Sequence, residues 1–311
     1  MQLYGKFIKL FFLLGIIYYL FNDIDMKILL VSLKGYAIFG IILSMLSVVI
    51  SDFILGIRWQ FLSKYRCSFM ASFEVSVIAG FLNFILPAKL GEVSKLVYLK
   101  RLYNIRFSSS LIILFIERSM DVFVLALVTL MATNVFIDDK NAHNIAIFII
   151  ALMVLTVMLL NTSFLKSILN YIPMKSIRII LKRSVSNITR QLNQSGLLIG
   201  LGYSLLLWSS YFLTVWLFLE FAANIHLPLI DVFIVFTISS IAMSIPLAPG
   251  GVGTYQAGLI FALDLYGIDK ESALVLGVIL HIVLLVPSIL LALWVIDKKS
   301  VSLEWFKKEK L

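Results

Sequence analysis

Six apolar runs constrain this chain more than any other feature in it: residues 7–21, 36–57, 107–136, 145–160, 197–221 and 273–295. A hydrocarbon core about 30 Å thick takes about 20 helical residues, so runs of this kind read as transmembrane helices. The first and fourth are short and need flanking residues or local thinning of the bilayer to cross. The first has no small-residue cleavage site behind it and reads as an uncleaved span, not a removed signal peptide. Composition agrees, with 61% of the 311 residues hydrophobic and 14% charged, against about 25% charged in soluble domains. An ordinary soluble enzyme and a disordered chain are thereby excluded. Cys67 is the single cysteine, which leaves no intramolecular disulfide and no paired-cysteine metal or redox motif. Net charge is +9. Because the basic residues flank apolar runs, they point to the anionic face of a membrane and not to nucleic acid.

Two more apolar stretches are interrupted. Residues 72–86 stop at Pro87 and are followed by Lys89, Gly91 and Glu92; residues 232–247 stop at Pro249, Gly250, Gly251 and Gly253, and a second apolar arm covers 257–265. Broken arms are tolerated in a membrane only where protein or a water-filled cavity satisfies the freed backbone. The positive-inside rule decides whether they cross. If both return to the side they left, 21 of the 26 lysines and arginines fall on one side. If the first crossed, the cluster from Lys89 to Arg106 would move to the opposite face. The expectation is therefore an all-α polytopic membrane protein with six full spans and two re-entrant segments, both termini cytoplasmic, in a plasma membrane. The two breaks each place Pro and Gly four apart after an apolar arm, and they enter from opposite faces. Paired broken segments of this kind point to an inverted-repeat transporter with its substrate site between them.

The chain reads as one transmembrane domain over residues 1–311. Its halves are 1–161 and 197–297. A basic connector, 162–196, is either an amphipathic helix on the cytoplasmic leaflet or a charged loop. A short polar tail, 298–311, leaves no room for a soluble catalytic domain.

Charges interrupt one span. Glu117, Arg118 and Asp121 lie about 15–21 Å along the 107–136 run, near mid-membrane. Each costs about 2.5–3.5 kcal/mol at a helix centre, so they must face the bundle or water. Their spacing places Arg118 within pairing reach of Asp121, with a local sum of −1. They read either as a structural ion pair or as the lining of a headgroup pathway. Glu92 and Lys95 are three apart beside Gly91 and form a plausible helical pair. Gly250, Gly251 and Gly253 can bring backbone N–H groups together at a half-helix end, an anion-binding arrangement, or can serve a tight turn for steric reasons alone. Asp52 and Glu74 are expected to pair with Arg58 or Lys64, Arg58-Trp59 to anchor a span at the interface, and His281 to be a lone packing residue. No metal-ligand spacing, Walker loop or nucleophile triad stands out, and no cofactor is expected.

These residues resemble the flippase-like transmembrane domain of lysylphosphatidylglycerol synthases, in its form without the aminoacyl-transferase domain. The resemblance rests on Arg58-Trp59; on Asn83 and Pro87 followed by Gly91-Glu92; on Glu117-Arg118 with Asp121; and on Pro246, Pro249, Gly250, Gly251 and Gly253. It implies translocation or handling of a membrane lipid, and substrate-facing roles for these motif residues. Two positions depart from the family pattern. Lys95 stands where arginine is usual, keeping the charge but losing a bidentate fork for phosphate. Gln256 stands where glutamate is usual. The implied substrate is an anionic phospholipid or a polyprenyl-linked glycolipid, and homo-oligomers or envelope-synthesis proteins are the implied partners. The other reading is a membrane-embedded enzyme of lipid or envelope synthesis with Glu92 or Glu117 as general base. A non-transporting scaffold is a third.

Overall fold

The computed structural model describes residues 35–64, 66–86, 90–136, 148, 151, 167, 169–171, 173, 178–179, 182, 194–245 and 247–299. The described residues form helices and no strand: α1 (Ile38–Leu62), α2 (Phe69–Ile85), α3 (Gly91–Tyr103), α4 (Phe107–Phe136), α5 (Gln194–Leu217), α6 (Leu229–Ser244), α7 (Thr254–Asp264) and α8 (Lys270–Lys299). Stretches Ile38–Leu62, Ser195–Ala222 and Lys270–Lys298 are long and apolar enough to cross a membrane. α4 has 30 residues, about 45 Å of helix, but crosses only if the charges at its centre are neutralised. The expected span at 7–21, all but two residues of that at 145–160, most of the basic connector and nearly all of the tail lie outside the described residues, as do Pro87, Lys89 and Pro246.

Helix ends follow local chemistry. Asp269 precedes α8 and its Oδ1 accepts the Ser272 backbone N–H at 2.8 Å, a standard N-cap. That hydrogen bond holds the Asp269 carboxyl below its ordinary range. α3 carries Glu92 in its first turn and Lys100 and Arg101 in its last, each sign matched to the helix dipole. Within α8, Pro287 removes one N–H from the ladder and crowds the Val283 carbonyl.

The chain divides into two compact units. The first comprises Met1–Asp52, Val77–Ser94 and Ser209–Leu311. In it α6 and α7 fold back on each other around Pro249–Gly251: Gly251 lies against Met243, and Gly258 against Ala242 and Ser239. α1 and α5 are joined by hydroxyls. Ser51 Oγ meets Ser210 Oγ at 2.8 Å, and Thr214 Oγ1 donates to Ser47 Oγ at 3.0 Å. Small hydroxyl residues of this kind let apolar helices approach closely and bond across the seam.

The second unit comprises Phe53–Ser76 and Lys95–Trp208. Phe53, Phe69 and Phe73 stack on one another as a cluster of three rings, and Gly200 gives room to Met120 and Leu62. Buried Glu74 accepts the hydroxyls of Tyr98 at 3.2 Å and Tyr103 at 2.6 Å.

Both interrupted stretches are helix–break–helix hairpins. In each, the glycine four residues after the proline opens the second helix: Gly91 begins α3, and Gly253 caps α7. Gly91 also sits on the Ala79 carbonyl and the Asn83 backbone, so any Cβ there would run into main chain. Gly91→Ala is expected to lower stability by about 1–3 kcal/mol, the range of an overpacked core. Thermal unfolding in detergent measures it, and an unchanged midpoint would mean that α2 and α3 are not held this tightly.

Candidate functional site: a buried charge cluster and a glycine turn

The charges of α4 are gathered in the second unit by residues distant in sequence. Arg58 of α1 spreads its fork over both acids: Nη2 donates to Glu117 Oε1 at 2.7 Å, and Nη1 to Asp121 Oδ1 at 2.5 Å and Ser204 Oγ at 3.0 Å. Lys95 Nζ of α3 donates to Glu117 Oε2 at 2.9 Å and lies 4.8 Å over the Trp59 ring. Arg118 Nη2 reaches Asp121 Oδ2 at 3.0 Å and Glu117 Oε1 at 3.3 Å. Trp208 Nε1 completes the set at 3.4 Å from Asp121 Oδ1.

Burial is graded across the cluster. The Arg58 and Glu117 side chains are sealed, Asp121 is 16% exposed and Arg118 is 40% exposed. Two sealed charges would be prohibitive unless paired and hydrogen-bonded on all sides, and here Glu117 meets three cations. The five side chains comprise three cations and two carboxylates, a formal sum of +1. The local sum of −1 expected from α4 alone is thus reversed by Arg58 and Lys95.

Three expectations are corrected. Arg58-Trp59 is not an interfacial anchor, because both residues are fully buried and Arg58 is the centre of the cluster. Asp52 does not pair with Arg58; its carboxylate accepts the Ser288 hydroxyl at 3.0 Å. His281 is not alone, since its Nδ1 accepts from Gln256 Nε2 at 2.9 Å and Tyr255 packs edge-on against its ring. The expected reach of Arg118 to Asp121 is present.

The glycine turn lies in the first unit. Gly250, Gly251 and Gly253 have φ of +64°, +74° and +84°, values that L-residues with a Cβ rarely adopt. At Gly250 a Cβ would also stand 2.6 Å from Cδ1 of Phe84, so the tip of the α6–α7 hairpin rests on the end of α2. The N–H groups of Gly251, Val252 and Gly253 are engaged within the turn, by Ala248 O, Pro249 O and Gln256 Oε1. Gln256 is three residues past the cap and reaches back to it, the second half of a capping box. At the other hairpin, Asn83 Nδ2 donates to Glu92 Oε1 at 3.1 Å and Ser94 Oγ to the Gly91 carbonyl.

The structure therefore gathers Lys95, Glu117, Arg118 and Asp121 in one unit, and Asn83, Gly91, Glu92, Pro249, Gly250, Gly251, Gly253 and Gln256 in the other. The sequence alone does not place Arg58, Ser204 and Trp208 in the cluster, nor Phe84 and His281 at the turn. Among the described residues, no group of three or more His, Cys, Asp or Glu is placed to hold a metal ion.

Comparison with known proteins accords with these features. The family described as the lysylphosphatidylglycerol synthase TM region matches residues 6–292, a stretch that contains the cluster and both hairpins. A UPF0104 membrane protein of Methanocaldococcus jannaschii is 29% identical over 201 residues, covering 62% of this chain and 83% of that protein.

Proposed function

Because the chain belongs to the lysylphosphatidylglycerol synthase transmembrane-region family, a family of membrane proteins, we propose that it is a lipid translocase. In this reading it moves a phospholipid or a polyprenyl-linked glycolipid between the leaflets of a plasma membrane, with both termini cytoplasmic. The observation that supports it is the graded charge cluster: a net cationic group inside an apolar helical unit, sealed at Glu117 and open at Arg118. Charges kept within membrane helices mark substrate and ion pathways, and a guanidinium suits a phosphate ester because its fork matches two oxygens. The two broken hairpins supply backbone of the kind that lines a polar cavity in transporters. The competing reading, a membrane enzyme with Glu117 as base, meets the difficulty that both Glu117 oxygens already accept from cations.

The test is transbilayer movement of headgroup-labelled phosphatidylglycerol and of a labelled polyprenyl phosphate in liposomes containing the purified protein. Arg118→Gln is expected to slow movement by about tenfold or more, the equivalent of about 1.4 kcal/mol in a rate. Its thermal midpoint should change little, because Arg58 and Lys95 still hold both acids. Wild-type protein that moves neither lipid would overturn the translocase reading.

A further inference from the structure

Asp52 is unlike the two acids of the charge cluster. It lies 14 residues into α1, about 21 Å along a helix of about 37 Å, and is 8% exposed. Glu117 and Asp121 are surrounded by cations, whereas the carboxylate of Asp52 meets a hydroxyl: Ser288 Oγ donates to Oδ2 at 3.0 Å. Ser288 directly follows Pro287, the residue that interrupts the α8 ladder.

The hydroxyls nearest Asp52 on its own helix are engaged elsewhere. On α1 itself Ser51 and Ser47 turn to Ser210 and Thr214 of α5. Along α8 the titratable neighbour is His281, two turns before Ser288 and on the same helical face; it bonds to Gln256 of α7 and packs against Tyr255. Arg58 is committed to Glu117 and Asp121. Among the described residues, no lysine or arginine is hydrogen-bonded or ion-paired with Asp52.

A carboxylate in a low-dielectric interior with no cation is expensive to keep ionised, whereas the protonated acid is tolerated. A hydroxyl partner suits both forms, because it donates to a carboxylate and accepts from a carboxylic acid. We propose that Asp52 and Ser288 form a proton-binding site, and that proton binding there drives the lipid movement proposed above, on which this inference rests. The step is simple in its balance. A proton from one aqueous side adds to Asp52 Oδ, giving a neutral carboxylic acid, and the same proton leaves to the other side. No bond other than O–H forms or breaks.

Two measurements separate this inference from the reading on which it rests. The first is infrared titration of the purified protein in phosphatidylcholine vesicles, following the carbonyl stretch of protonated carboxylic acid. The expected result is a carboxylic-acid band that changes with pH, is lost in Asp52→Asn, and is displaced in Ser288→Ala. The second is the leaflet distribution of labelled phosphatidylglycerol under an imposed pH gradient with the membrane potential clamped at zero. One pH unit is a tenfold ratio of proton activity, so one-proton coupling predicts up to about tenfold asymmetry of label. Asp52→Asn should lose that asymmetry.

Lipid movement without an Asp52 band, an asymmetry that Asp52→Asn retains, or one that follows sodium and ignores pH would each overturn the proton site. Should Asp52→Asn fail to fold, a band unmoved in Ser288→Ala would overturn it equally. An Asp52 band in a protein that moves no lipid would overturn the translocase reading and with it the coupling, leaving only proton binding established.

Discussion

Glu117→Gln, a change of one charge with almost no change of shape, is expected to lower stability by roughly 3–5 kcal/mol, the cost of removing one partner from a buried ion pair. Glu117 is sealed and receives Arg58, Lys95 and Arg118. Without its charge, Asp121 alone would face three cations. The diagnostic arm is the double variant. Lys95→Met with Glu117→Gln removes one charge of each sign and leaves two cations against one acid, so it should regain part of the loss. Thermal unfolding in detergent across wild type, both single variants and the double variant gives the coupling energy directly. Strictly additive losses would mean that the Lys95–Glu117 bond contributes nothing.

Arg58→Lys is the second large effect, and it separates shape from charge. One guanidinium bridges two acids and a hydroxyl: Glu117, Asp121 and Ser204. An ammonium has one centre and cannot lie between Glu117 and Asp121 in the same way. Losing two charge-assisted hydrogen bonds, at about 1.5–3 kcal/mol each, predicts a loss of about 3 kcal/mol or more, although net charge is conserved. A lysine variant as stable as wild type would show that the cluster requires only a positive charge at this place. Since Arg58 lies away from the exposed rim, its effect should fall on thermal stability at least as strongly as on lipid movement.

The parts of the molecule governed by local sequence are legible in the residues themselves. The apolar run at 107–136 and the helix Phe107–Phe136 have the same ends, because nothing but length and apolarity defines them. The breaks are legible too: α2 ends two positions before Pro87 and α6 five before Pro249, and the glycine four after each proline stands at the start of the next helix. The partners of the buried charges are not. Arg58 lies 59 positions from Glu117 and 63 from Asp121, and Lys95 lies 22 from Glu117. Periodicity is silent at such separations, and it offers only neighbours one turn away, such as Glu92 for Lys95. Arg58-Trp59 shows why this matters. At the end of an apolar run, an interfacial anchor and a buried bridge have the same local sequence, and only the two acids of another helix tell them apart. His281 reads as solitary in the sequence for a similar reason, since its partner Gln256 belongs to a different helix.

The hydrogen bonds at Gln256 have a direction, and that direction fixes more than the turn. The Gly253 N–H can only donate, so the carboxamide must offer it Oε1 and present Nε2 to His281. Nδ1 of the imidazole must then accept, and the ring proton resides on Nε2. A backbone amide in the turn thereby selects the tautomer of a side chain on the last described helix. A glutamate at 256, the residue that family resemblance would place there, has no N–H to give. It would draw the ring proton to Nδ1 and leave Nε2 as the acceptor. Positions 256 and 281 are therefore chemically interlocked, and an exchange at the first rewrites which face of the imidazole can donate.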